Sequence, residues 1–573
     1  MDAWLNAAKA LDELYPPAEA GATFDGLRAL AEAWRPRLTH PARHGPLVAG
    51  DCFAIAYPDH ILTADEPPLE TLGRFLDRHL AGLITGLHVL PFFPWSSDDG
   101  FAVMDYQTVA PAYGDWAAVT ALAKRYRLMV DLVLNHSSAQ GDWFQRFLAG
   151  EPAFAGRFLT VDDDPDLSAV VRPRTTPLLT EVRTAAGPRR VWSTFGPDQM
   201  DLNYRDPATL LAMIEVLLDL IGRGAGLLRL DAVAFLWKEP GTPCLNLPQT
   251  HAVVRLLRAV LDAVAPDVLL VTETNVPHAE NMAYFGAGGD EAQLVYNFAL
   301  PPLLLHTLLS ADTSRLCDWA AGLAAPSGRA TFLNFLASHD GIGLNPVRDI
   351  LSEDEVAHLV DRTLACGGQL SRRSGSGTDR PYELNVNYLD ALIDSPAAAD
   401  EAIGVERFLC AHALAMALVG VPLLYLPSLL GARGWPEGVA RGGGARAINR
   451  ERLDLVAVED ALARPTSRGR RIRDALADLA AARRLTPAFD PYGSQTVLDL
   501  GPACFALQRR ARAGGPAAIC VHNVTGRSMT VELPNRAPNA APTRLLAARG
   551  LRSRSPHGLD LAPYGYAWLT ADG

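Results

Sequence analysis

Short apolar runs of strand length alternate with stretches where apolar residues recur every three or four positions, from about residue 50 to about residue 430. The runs are Asp51-Cys-Phe-Ala-Ile-Ala56, Leu87-His-Val-Leu-Pro91, Leu128-Met-Val-Asp-Leu-Val-Leu134, Gly226-Leu-Leu-Arg-Leu-Asp231, Val268-Leu-Leu-Val-Thr-Glu273, Leu294-Val-Tyr-Asn-Phe298, Thr331-Phe-Leu-Asn-Phe-Leu336 and Val421 to Leu426. Leu69, Leu72, Leu76 and Leu80 line one face of a helix, and further helices are predicted at Trp116 to Tyr126, Leu210 to Ile221, Val253 to Val264, Leu303 to Leu309 and from Leu409. Eight strand-then-helix units with near-continuous apolar strands predict a parallel sheet covered on both faces and closed as a (β/α)8 TIM barrel. A doubly wound open sheet would favour a Gly-rich phosphate turn after the first strand, and none follows Ala56.

The rhythm is interrupted twice, at residues 137–200 and 341–392, where the chain is irregular. Insertions after strands three and seven would sit at the C-terminal rim, where barrel active sites lie. The barrel is therefore assigned to residues 49–136, 201–340 and 393–486. Residues 1–48 read as a helical extension, with Phe24, Leu27, Leu30 and Trp34 at helical spacing and a linker from Pro41 to Pro46. From 487 to 573, runs such as Ala518-Ile-Cys-Val521 and Met529-Thr-Val-Glu-Leu533 between Gly, Pro and Asn turns predict a small all-β domain. Leu409 to Leu430 is long and apolar enough to span a bilayer, but Gly420-Val421-Pro422, Pro427 and His412 make it a core helix followed by a core strand.

Composition narrows the partners. A net charge of −12 argues against nucleic acid or an anionic membrane. Seven scattered cysteines without a CxxC pair predict neither a disulfide framework nor a zinc site, and the start of the chain lacks a signal-peptide pattern. A reducing cytoplasm is the expected location.

The chemistry lies at the strand ends. Arg229 and Asp231 close one buried run, Glu273 closes another, and Ser338-His-Asp340 follows a third. A structural ion pair would account for the first of these alone. Three acids at three strand ends of one barrel instead suit glycosyl transfer, in which one carboxylate attacks the anomeric carbon and another protonates the leaving oxygen. Arg229 would keep Asp231 ionised.

Asp131-Leu-Val-Leu-Asn-His136, Leu228-Arg-Leu-Asp231, Glu273 and His339-Asp340 resemble, in order, the four sequence regions of the α-amylase superfamily, glycoside hydrolase family 13. The resemblance implies Asp231 as nucleophile, Glu273 as acid/base and Asp340 as transition-state stabiliser, with Arg229, His136 and His339 lining the glucosyl pocket. Pro91 to Phe101, Val191-Trp-Ser-Thr-Phe195, Asp201-Leu-Asn203, Ser338 to Gly343 and Ala447-Ile-Asn-Arg450 look like the sucrose-phosphorylase branch. In that branch Asp98 and Arg450 would bind the glucosyl unit and Phe101 would be its apolar platform. Core packing for Phe101 and a turn role for Asp98 are the plainer alternatives.

Val171-Arg-Pro-Arg-Thr175 and Pro381-Tyr-Glu-Leu-Asn385 resemble the branch's two acceptor-side loops, which implies phosphate contacts from Arg174 and Tyr382; a solvated surface arginine is the alternative for Arg174. The chain departs from the sucrose enzymes at Glu273-Thr-Asn-Val-Pro-His278 and at Arg380, where those enzymes carry an Asp. Arg372, Arg373 and Arg380 make this insertion basic, which would suit a carboxylate-bearing acceptor. With the N-terminal extension, these departures resemble the longer-chain group that includes the glucosylglycerate phosphorylases. The function so implied is retaining phosphorolysis of an α-glucoside, without a cofactor or metal and with a sugar and phosphate as partners. Sucrose or a sucrose phosphate as donor, hydrolysis or transglucosylation, and a non-catalytic sugar-binding relative are the alternatives.

Overall fold

The computed structural model describes residues 3–38, 45–373, 380–395, 397–533, 542–555 and 558–571, so most of the expected linker from Pro41 lies outside the described residues. The eight apolar runs form eight parallel strands: β1 (Phe53–Ala56), β2 (Gly86–Val89), β3 (Arg127–Val133), β4 (Leu227–Asp231), β5 (Leu269–Thr272), β6 (Leu294–Tyr296), β7 (Thr331–Asn334) and β8 (Val421–Tyr425). Each pairs with its neighbours in sequence, and β8 pairs with β1 to close the barrel. The strands are buried on both faces, which is why their sequences read as runs and not as alternations.

Register decides what meets at the rim. Asp131 on β3 lies beside Arg229 on β4, which lies beside Val271 on β5, and Val133 is level with Asp231. The strands therefore deliver Asp131, Arg229, Asp231 and Glu273 to one end of the barrel.

Helices Pro68–His79, Trp116–Ala123, Pro207–Gly222, Pro248–Val264, Leu300–Ser310, Ala398–Ala417 and Arg468–Arg484 cover the outside. The Leu409 segment is the end of one of these, and Gly420, at φ +121°, turns the chain into β8. Helices α1 (Ala3–Leu14) and α2 (Pro17–Trp34) pack on the barrel's flank, where Tyr15 donates to the Tyr204 carbonyl at 2.8 Å and Arg255 pairs with Glu13 at 2.6 Å.

The two interruptions are more ordered than their sequence suggests. The first holds the helix Asp142–Leu148 and the hairpin of Leu179–Thr184 with Gly187–Trp192. The second holds the helix Glu353–Ala365, started by a capping box between Ser352 and Glu355, and the antiparallel pair Gln369–Arg373 and Arg380–Asn385.

The C-terminal sheet is all antiparallel, as expected, but two of its strands are long: Pro542–Arg554 and Gly558–Ala571. Arg509 from this sheet reaches into the barrel and donates to the carbonyls of Ala417 at 2.9 Å and Leu418 at 2.7 Å. Arg483 donates to the carbonyls of Met416 and Gly420, so two buried guanidinium groups satisfy the end of the helix that precedes β8.

Candidate active site

A pocket open to solvent lies at the C-terminal rim, lined by Asp98, Phe101, Arg229, Asp231, Glu273 and Asp340 among others. At its base Arg229 donates to Asp131 and, at 2.8 Å, to Asp231; its other terminal nitrogen stands 3.9 Å from Glu273. His88 meets the second Asp131 oxygen at 2.8 Å. After Asp231 the chain turns through Ala232 in the left-handed region, at φ 51°, and this aims the Ala232 N–H at Glu273, 3.0 Å away. Such a conformation is costly for a residue with a Cβ and is found where a site requires it.

The charges are coupled. Burial and the neighbouring carboxylates push Asp231 and Glu273 above the usual carboxylate range, so the two together hold a proton more tightly than free carboxylates do. Arg229 touches Asp231 and stands farther from Glu273, which places that proton on Glu273. Burial also opposes ionisation of Asp340, but Arg446, His339 and Arg450 outweigh it and hold Asp340 far below the usual range. Arg446 reaches Asp340 at 2.5 Å and Arg450 reaches it at 3.5 Å. Burial pushes the His339 imidazole down to about 3, so it is neutral, and its Nδ1 has no hydrogen-bond partner.

Asp98 and Asp99 both have positive φ, 53° and 48°, in the tight turn that carries them to Arg450 at 3.4 and 2.7 Å. Phe101 lies flat on His339, with ring centres 5.1 Å apart and planes 6° apart, and one face of it takes the Arg229 guanidinium at 5.6 Å. It lines the pocket and belongs to the packed core at once, so the two sequence-based alternatives are not exclusive. His136 donates from Nε2 to the Phe101 carbonyl at 3.0 Å, fixing its neutral tautomer while it faces the pocket.

The opposite wall holds Arg174 and Tyr382. The Arg174 loop is pinned by a small separate core of Val161, Val170, Leu178, Trp192 and Cys244, and its guanidinium lies 5.9 Å from the Phe195 ring centre. Arg380 is not brought to this wall. It stands two residues farther out along the same strand as Tyr382, 58% exposed and 3.9 Å from Glu353. Arg372 is exposed, and the Arg373 side chain lies outside the described residues.

Other wall residues carry no role in the sequence reading: Arg446, Glu383, Gln199, Asn275 and Phe235. Glu383 and Arg446 lie within or beside quoted motifs, but only the fold pairs them.

Behind the pocket, Lys238 occupies a fully buried polar cluster, 2.7 Å from both Asp201 and the Asn135 side-chain oxygen. Thr194 completes it by donating to Asp201 from its backbone N–H at 3.0 Å and its hydroxyl at 2.6 Å. Among the described residues no helix is long and apolar enough to cross a membrane.

A family profile described as the alpha amylase catalytic domain matches residues 80–319. The chain is 43% identical to the glucosylglycerate phosphorylase of Spirochaeta thermophila over 98% of this chain and 97% of that protein. It is 47% identical to that of Allomeiothermus silvanus over 85% of this chain and 88% of that protein. Its fold is similar to the crystal structure of sucrose 6F-phosphate phosphorylase from Thermoanaerobacter thermosaccharolyticum, with a TM-score of 0.73 at 23% identity, covering 86% of this chain and 97% of that one.

Proposed function

This chain belongs to the alpha-amylase family, in the branch of the glucosylglycerate phosphorylases, and from that premise we propose how its pocket phosphorolyses 2-O-α-glucosylglycerate. Asp231 attacks the anomeric carbon as the bond to the glycerate oxygen breaks, and Glu273 gives its proton to that oxygen. Asp340, ionised between Arg446 and Arg450, stabilises the positive charge that develops on the sugar. Glycerate leaves. A phosphate oxygen then attacks the same carbon and breaks the ester to Asp231, and Glu273 regains a proton from the incoming phosphate. Two displacements return α-D-glucose 1-phosphate, so the mechanism retains configuration.

Asp98, Phe101, His136, His339 and Arg450 hold the glucosyl unit in this reading, and Arg174 with Tyr382 hold the anion that replaces glycerate. The observation that carries it is the single guanidinium of Arg229, bonded to Asp231 and standing off Glu273, in a pocket that Arg174 and Tyr382 also line. No step requires a cofactor or metal ion, since arginines supply the positive charge and phosphate is a substrate. The free state of all seven cysteines supports a cytoplasmic location.

The test is a panel of α-glucosides, glucosylglycerate and sucrose included, assayed with and without phosphate for glucose 1-phosphate. Phosphate-dependent release from glucosylglycerate is expected, and preference for sucrose would overturn the donor assignment. A companion experiment separates the two arginines. Arg174→Ala should raise the KM for phosphate by roughly tenfold or more, the loss of one charge-assisted contact. Arg380→Ala, outside the wall, should change it by less than about twofold.

A further inference from the structure

Two arginines reach the pocket from the acceptor side, and their surroundings differ. Arg446 is enclosed by carboxylates: one terminal nitrogen lies 2.5 Å from Asp340, while Nε and the other terminal nitrogen grip Glu383 at 3.2 and 3.1 Å. Arg174 has no carboxylate within ion-pair distance among the described residues and rests beside Phe195.

Glu383 is itself 1% exposed, and its second oxygen accepts the Gly341 backbone N–H at 2.6 Å. The approach is so close that a Cβ at position 341 would stand 2.6 Å from the Leu384 carbonyl oxygen. Glu383 therefore ties the strand that carries Tyr382 to the residue following Asp340. A buried carboxylate with both oxygens bonded is well satisfied and fixed in place. Its consequence is for Arg446, whose fork it fills and whose remaining nitrogen it directs at Asp340.

We propose that Glu383 is a positioning residue that divides the arginines of the pocket between two tasks, holding Arg446 on Asp340 and leaving Arg174 to bind the phosphate or the glycerate carboxylate. The assignment rests on the phosphorylase reading above. With Glu383 in place, the Arg446 charge is balanced by two carboxylates and adds little attraction for an incoming anion. Without that charge, the Arg446 fork is released toward the acceptor half, and the pocket gains a second anion contact while Asp340 loses its fixed partner.

The consequence is slower turnover together with tighter phosphate binding, a combination that a loss of packing would not produce. Glu383→Gln should lower the KM for phosphate by about threefold or more and lower kcat by about tenfold or more. Glu383→Asp, which restores the charge, should recover part of kcat and return KM toward the parent value. Arg446→Met should lower kcat and leave the phosphate KM within about twofold of the parent, because in the parent that guanidinium is not an anion contact. The double variant should lose the KM gain of Glu383→Gln. Circular dichroism and melting curves would identify a Glu383 variant that does not fold, and Arg446→Met then decides alone. A phosphate KM that rises in Arg446→Met as much as in Arg174→Ala would overturn the proposal. So would an unchanged or higher phosphate KM in folded Glu383→Gln. A parent enzyme without phosphate-dependent activity would instead remove the phosphorylase reading itself.

Discussion

Asp231→Asn is expected to leave the barrel folded and to lower turnover by at least about 10⁴-fold, the scale on which enzymes lose activity when a covalent nucleophile is removed. The amide is nearly isosteric and can still accept from Arg229, so the 2.8 Å contact has a neutral counterpart and the surrounding register is unchanged. What disappears is the anion that forms the glucosyl ester. A fluorinated glucosyl fluoride, whose ester breaks down slowly, should add the mass of one fluorinated glucosyl group to the parent protein as the anomeric fluoride leaves, and peptide mass spectrometry should place it on Asp231. An adduct on another carboxylate, or near-normal turnover by the Asn variant, would remove Asp231 from the role.

Glu273→Gln should lower turnover of glucosylglycerate by roughly 10²–10⁴-fold, the usual contribution of general acid catalysis. The same variant should keep most of its rate with α-glucosyl fluoride and phosphate, because fluoride departs without protonation and an anionic phosphate oxygen attacks without needing Glu273 as a base. The pH profile supplies a second readout. Burial raises Glu273, so its proton persists above the ordinary carboxylate range, and activity should fall as pH rises through the raised value. That alkaline limb of kcat/KM should be absent from the Gln variant. If glucosyl fluoride turnover falls as far as that of glucosylglycerate, Glu273 has a role other than proton donor.

The barrel was legible because parallel strands buried on both faces leave an unmistakable pattern, an apolar run wherever a strand occurs. The rim acids were legible for the complementary reason: Arg229, Asp231 and Glu273 are charges in places where packing alone offers them nothing. Arg446 and Glu383 carried no such signal. Arg446 follows the glycines 442–444, which show no periodicity, and its importance comes from partners brought to it by the fold. The basic character of the second insertion pointed to Arg380 as an acceptor contact, yet charge composition does not say how far along a strand a side chain stands. Two residues of extended chain span about 6.6 Å, enough to carry Arg380 past the wall that Tyr382 lines. The helix Glu353–Ala365 did have a local signal, the Ser352 to Glu355 capping box, in a stretch read as irregular. There the apolar stripe is thin, with only Leu359 and Thr363 fully buried, so the periodicity that revealed other helices was missing.

The guanidinium of Arg509 bears on what kind of object the C-terminal sheet is. Tail domains of this sort invite comparison with detachable cargo, gained or dropped between lineages without disturbing the enzyme that carries them. Here the tail supplies the donor for Ala417 and Leu418, two carbonyls at the turn into the last barrel strand. That strand closes the cylinder against β1. Removing the tail would take away that donor and bare the apolar surface of the barrel that shares one core with Phe505, Leu507, Cys520 and Trp568. Barrel and tail therefore hold together as one body, and a chain cut before residue 487 is expected to lose stability in the barrel itself.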